Sequence, residues 1–141
     1  MAALVDTNVL VYVFDSRAPA KQRRASEILL AGLKADSVRL PHQAIVEFVA
    51  AVSRPTKSGP PLLPVAQARR EAEDLLTIFG VLYPNDAVLR TALRGAAMYE
   101  LSWFDAHMWA YAEVNGLSEL WSEDFQHDRL YGSVRAVNPF L

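Results

Sequence analysis

Ala2-Ala3-Leu4-Val5-Asp6-Thr7-Asn8-Val9-Leu10 is the stretch on which the fold turns. An apolar run meets an acid, a hydroxyl and an amide, and the chain then becomes apolar again. A short run of this kind suits a strand buried on both faces of a parallel sheet. Asp6 then falls at the strand's carboxyl end, where ligands bind in open α/β sheets. Thr7 or Asn8 is positioned to cap a following helix whose Val9, Leu10, Val13 and Phe14 recur at helical spacing. A single Asp after a strand equally well serves as a turn or cap residue. Its meaning depends on whether other acids occupy comparable places.

Outward from this stretch, the chain alternates helices and strands. Ala20–Leu33 reads as an amphipathic helix with Ala25, Ile28, Leu29 and Leu33 inward, and Val38-Arg39-Leu40 as a strand stopped by Pro41. Gln43–Ser53 is a helix with Ile45, Phe48, Val49 and Val52 as its core stripe. Arg54–Pro64, with four prolines and a glycine, is a loop long enough for a mobile flap. Val65–Phe79 follows as a helix burying Ala68, Ala72, Leu75, Leu76 and Phe79, then Val81-Leu82-Tyr83 as a strand. A helix capped by Asn85 or Asp86 runs to Tyr99, with Val88, Leu89, Ala92, Leu93 and Ala96 buried. Another runs from Trp103 to about Asn115, closed by Gly116. Leu117–Trp121 and Ser133–Val137 are the last strands, with Ser122–Arg129 a loop or short helix between them. The expected architecture is one α/β domain over residues 1–141, with a mainly parallel sheet of four to five strands.

Composition narrows the function. The chain has 141 residues, 52% of them hydrophobic, which is globular and not disordered. No apolar run approaches the ~18 to 20 residues of a membrane span, and no basic, apolar and cleavable leader opens the chain. There is no cysteine, so disulfides and thiolate metal sites are excluded and a cytoplasmic location is expected. A net charge of −2 argues against gripping nucleic acid by overall charge, leaving local patches. Lys21, Arg23 and Arg24 on one helix, with Arg54 and Lys57 around the proline loop, are equally an RNA groove or a solvated face.

Three further acids stand out. Glu47 sits alone in the apolar run Ala44–Val52. Asp105 lies in the first turn of its helix, at the capping-box distance from Ser102. Asp124 follows a strand, with Ser122 before it and Glu123 as a rival. Two acids at strand ends, one in a buried helix and one at a helix start can meet on one rim of the sheet. Crowded carboxylates repel unless a cation lies among them, and a site of hard oxygens selects Mg²⁺ or Mn²⁺. Such a cation suits phosphodiester hydrolysis. His42, His107 and His127 form no ligand pattern; hydrogen-bonding or surface roles are expected, and Trp103, Trp109 and Trp121 are expected in the core, with stacking on bases the other reading for Trp103.

On these motifs the chain resembles the PIN-domain ribonucleases, and within them the toxins of bacterial VapBC-type toxin–antitoxin pairs. The resemblance rests on Val5–Leu10, on Glu47, on Ser102-Trp103-Phe104-Asp105-Ala106, on Trp121–His127 and on Val137-Asn138-Pro139-Phe140. It implies a PIN-like α/β/α sandwich and a Mg²⁺- or Mn²⁺-dependent endoribonuclease. Asp6, Glu47, Asp105 and Asp124 would hold the metal, oriented by Thr7 or Asn8 and by Ser122. It further implies a homodimer, a VapB-type antitoxin bound to an apolar groove of the early helices, and cellular RNA as substrate. Asp128 stands where relatives often have glycine. Other readings are a PIN-fold nuclease of RNA processing or DNA, a catalytically silent binding module, and an Asp-nucleophile phosphatase. The last is weakened because Asn8 occupies the place of its usual second Asp.

Overall fold

A computed structural model describes residues 2–141. The order of elements is β1 (Ala3–Val5), α1 (Thr7–Tyr12), α2 (Pro19–Ala35), β2 (Val38–Pro41), α3 (His42–Ser53), α4 (Val65–Ile78) and β3 (Gly80–Leu82). There follow α5 (Asp86–Tyr99), α6 (Trp103–Val114), β4 (Glu119–Trp121), β5 (Leu130–Tyr131) and β6 (Val134–Val137). The strands form one sheet in the order β3-β2-β1-β4-β6-β5, parallel except for β5.

β1 lies at the centre, hydrogen-bonded on both sides, and all three of its residues are buried. This is why it reads as an unbroken apolar run. From β1 the chain winds outward to β2 and β3, then returns to place β4 on the other flank. The winding direction therefore reverses between β1 and β4. That reversal opens a crevice beyond the strands' carboxyl ends, and Asp6 and Ser122 stand at its two lips. The register holds those lips together: Val5 is opposite Trp121, and the Asp6 N–H donates to the Trp121 carbonyl at 3.0 Å.

The expected PIN-like sandwich is present, with α6 lying over β1, β4 and β6 beneath α5, and with α1, α3 and α4 packed together in the other helical layer. The sheet has six strands instead of four to five. The additional one, β5, turns back on β6 through Gly132-Ser133, where Gly132 takes a φ of +59°. A Gly-Ser pair between two short apolar runs is a hairpin signal, so this strand was legible.

Several leucines expected inside are outside. In α5 the inward stripe is Val88, Ala92 and Gly95, while Leu89 and Leu93 are exposed. The small residues let α6 approach: a β-carbon on Gly95 would overlap the Trp109 ring. Leu33 and Leu76 are likewise exposed, as is Trp103, whereas Trp109 is buried and donates its indole N–H to the Tyr131 carbonyl. The proline loop is pinned and not a free flap. Leu63 is buried in the core and its N–H donates to the Val52 carbonyl at 2.9 Å.

Candidate metal centre

The sequence around each acid explains where its carboxyl group goes. Asp6, and not Thr7 or Asn8, caps α1: its extended backbone ends β1, and its Oδ1 accepts the Thr7 N–H at 2.6 Å. Its Oδ2 accepts the Ser122 hydroxyl at 2.6 Å. The cap and strand-end readings of Asp6 are thus both correct. Ser122, wholly buried at the end of β4, also accepts from Asn8 Nδ2 at 3.2 Å and from the Asp124 N–H at 3.0 Å. One hydroxyl therefore ties together the ends of the two central strands.

Glu47 is drawn to the same rim by two donors. Thr7 Oγ1 donates to Oε1 at 2.8 Å, and Gln43 Nε2 donates to Oε2 at 2.7 Å. Gln43 Nε2 also donates to the Phe104 carbonyl at 3.1 Å, which stitches α3 to the first turn of α6 where Asp105 stands. Sequence reasoning overlooked Gln43, although its position one helical turn before Glu47 was a visible signal. Asp105 is half-buried, and its N–H donates to the Ser102 hydroxyl at 3.3 Å, as the capping spacing predicted. Asp124 is exposed and accepts Asn8 Nδ2 at 3.1 Å.

The neighbouring acids are accounted for elsewhere. Glu123 accepts Tyr12 Oη at 2.6 Å and pairs with Lys21 at 2.9 Å, so it is neutralised away from the rim. Asp128 adopts a φ of +64°, in the left-handed region, and pairs with Arg135. His42 packs on Tyr83, His107 on Trp103, and His127 Nδ1 accepts the Asn138 N–H, all in keeping with non-ligating roles. Of the basic residues, Lys21 is engaged by Glu123, and Arg24 donates to the Pro139 carbonyl. Among the described residues Arg54 and Lys57 form no ion pair.

Electrostatically the rim is unbalanced. None of Asp6, Glu47, Asp105 or Asp124 pairs with a described lysine, arginine or histidine. Burial pushes the Asp6 carboxyl up to about 7, against the hydrogen bonds from Ser122 and Thr7, with Asp124 and Asp105 adding repulsion. Burial also raises Asp105, and Asp124 and Glu47 reinforce the rise. A buried carboxyl with anionic neighbours calls for a cation. The donors are all hard oxygens, as Mg²⁺ or Mn²⁺ prefers. Among the described residues, however, no three His, Asp or Glu side chains are close enough together to hold one ion. Asp6 is held by Thr7 and Ser122, Glu47 by Thr7 and Gln43, and Asp124 by Asn8. The donor chemistry fits a hard cation, and the buried, unpartnered Asn8 Oδ1 adds a further oxygen at the same rim.

The sequence matches the PIN domain over residues 3–133, and the chain belongs to that family. No curated protein matches it. Its fold is similar to a toxin–antitoxin complex from Klebsiella pneumoniae, at 19% identity and TM-score 0.69 over 98% of both chains. It is also similar to VapBC2 from Rickettsia felis bound to a promoter DNA fragment, at 12% identity and TM-score 0.70, covering 96% of this chain and 97% of that one. A third likeness is to Mycobacterium tuberculosis VapC20, a sarcin–ricin loop cleaving toxin. There the identity is 18% and the TM-score 0.61, over 95% of this chain and 99% of the other.

Proposed function

We propose that this protein is a metal-dependent endoribonuclease and the toxin of a VapBC-type toxin–antitoxin pair. The observation that carries the reading is a charge imbalance: among the described residues Asp6 after β1, Glu47 on α3, Asp105 in the first turn of α6 and Asp124 after β4 pair with no cation, and burial together with acidic neighbours pushes the Asp6 and Asp105 carboxyls up. Family membership and the toxin-bearing neighbours support it. Asp6, Glu47, Asp105 and Asp124 would hold Mg²⁺ or Mn²⁺. The cation would supply Lewis acidity toward a phosphodiester and a water molecule. The chain's own part is orientation. Thr7 and Gln43 aim Glu47, Ser122 aims Asp6, and Asn8 joins Asp124 to Ser122.

The antitoxin partner is assigned to an apolar groove of about 310 Å³ between α1, α2 and α4, on whose walls stand Phe14, Leu30, Leu33, Leu75 and Ile78. Leu30, Leu33 and Ile78 are exposed there. A VapB-type segment with an apolar helical face fits this chemistry. A homodimer is assigned to the exposed Leu89–Leu93 strip of α5. Among the described residues no helix is long and apolar enough to cross a membrane, which accords with action on cellular RNA in the cytoplasm.

One observation favours a silent binding module instead: among the described residues no three acids lie within reach of one ion. A single experiment separates the readings. The protein is co-purified with the product of any adjacent small gene, freed from it, and incubated with total RNA plus Mg²⁺ or Mn²⁺. Metal-dependent cleavage that is lost in Asp6→Asn supports the nuclease. An intact protein that leaves RNA uncut under every metal condition rejects it.

A further inference from the structure

Beside the acidic rim, an open cleft of about 360 Å³ separates α3 from α6, and its walls include Gln43, Glu47, Trp103, Phe104 and His107. Trp103 is 44% exposed and Phe104 67%, an unusual degree for aromatic residues at the start of a helix that is otherwise largely buried. His107 packs edge-on against Trp103, with ring centroids 4.3 Å apart and planes at 82°. Its Nδ1 lies 3.0 Å from the Trp103 carbonyl, an acceptor only, so Nδ1 carries the proton. The Phe104 carbonyl is tied to α3 through Gln43.

This cleft does not stand alone. Glu47 and Phe104 also border the next depression, which Thr7 and Arg54 complete. Arg54 in turn borders a third, with Arg17 and Lys57. Arg17 is committed to Asp15, whereas Arg54 and Lys57 form no ion pair among the described residues. A trough thus runs from an aromatic end, past Glu47, to a cationic end. A single nucleic-acid strand alternates π-faces and anionic phosphates, and aromatic side chains take the first while lysine and arginine take the second. A duplex keeps its bases stacked inside and offers no free face.

Resting on the nuclease reading, we propose that the Trp103–Phe104 cleft is a nucleobase subsite. An unpaired base flanking the phosphate at the acidic rim stacks there, while Arg54 and Lys57 hold a phosphate on the opposite side. The two ends of the trough make separable contributions: the aromatic end reads the presence of a base, and the cationic end only the backbone.

The test uses the full chain freed of any partner, as Asp6→Asn so that RNA remains uncut. Labelled eight-nucleotide strands of adenosine, abasic strands of equal length and an RNA duplex are titrated by fluorescence anisotropy. Trp103→Ala/Phe104→Ala is expected to weaken the adenosine strand about tenfold or more, with the abasic strand unchanged. Trp103→Phe, which keeps an aromatic face, should stay within about threefold of the parent. Circular dichroism and light scattering accompany each variant. Equal losses on adenosine and abasic strands, or no loss on either, overturn the subsite. So does a change in mass from dimer to monomer without altered RNA binding, which would assign the cleft to a second copy of the chain. If the Asp6-containing protein cuts RNA normally while the aromatic variants bind normally, only the subsite fails. If it neither binds nor cuts RNA, the nuclease reading fails and the subsite with it.

Discussion

Replacing Asp6 by Asn should stabilise the metal-free protein while destroying its activity, and the gain should depend on pH. Burial lifts the Asp6 carboxyl from its ordinary value of 3.8 to about 7. A carboxyl raised in this way costs nothing when both folded and unfolded states are protonated, below about 3.8. The cost accumulates as pH rises toward 7 and is constant above that, because the folded state must then hold a buried anion. The interval from 3.8 to about 7 corresponds to about 4 kcal/mol at roughly 1.4 kcal/mol per pH unit. Between pH 5 and pH 8 the cost grows by about 2–3 kcal/mol. Asn carries no charge at any of these pH values, so it removes this term. It also loses the acceptor for the Ser122 hydroxyl, a pH-independent loss of about 1 kcal/mol. The difference in unfolding free energy, Asp6→Asn minus wild type, should therefore rise by about 2–3 kcal/mol from pH 5 to pH 8 and then level off. Urea denaturation in EDTA, followed by circular dichroism at pH 5, 6, 7, 8 and 9, measures it. Added Mg²⁺ or Mn²⁺ should stabilise the wild type and leave Asp6→Asn nearly unaffected. A difference that is flat across this range would refute the claim that Asp6 is a desolvated carboxyl awaiting a cation.

Glu47→Gln and Asp105→Asn should each lower metal-dependent RNA cleavage by about a hundredfold or more, with melting temperature unchanged or raised, as read on a gel and by calorimetry. Glu123→Gln should leave cleavage within about threefold, since Glu123 serves Lys21 and Tyr12; Asp124→Asn should not, and the pair of assays decides which acid belongs to the site. Gly95→Ala should destabilise by about 1–3 kcal/mol in urea unfolding, because its β-carbon would press on a Trp109 ring anchored to Tyr131. Leu33→Glu with Ile78→Glu should abolish co-purification with the antitoxin while leaving RNA cleavage intact, as judged by pull-down and gel.

Much of this was legible from residues alone, because it depended on local pattern. An apolar run stopped by an acid defines a central strand and its carboxyl end. A Ser-x-x-Asp spacing defines a helix start, and a lone glutamate among alanines and valines marks a carboxylate with a task. These signals named Asp6, Glu47, Asp105 and Asp124, the mainly parallel sheet and the PIN-domain family. What lay beyond them depends on pairing and on contact at long range. Hydrophobic spacing placed Leu89 and Leu93 inside, yet Gly95 and Ala92 brought α6 so close that the inward stripe rotated onto the small residues. Spacing alone could not distinguish Glu123 from Asp124 either. The structure separates their surroundings: Lys21 and Tyr12, about a hundred residues away in the chain, engage the first, while Asn8 donates to the second. Ser122 joining the ends of β1 and β4, and Gln43 joining α3 to α6, are likewise products of strand order and helix packing. Local chemistry specifies which groups a segment offers, whereas the charge balance of the rim exists only once separate segments are folded side by side.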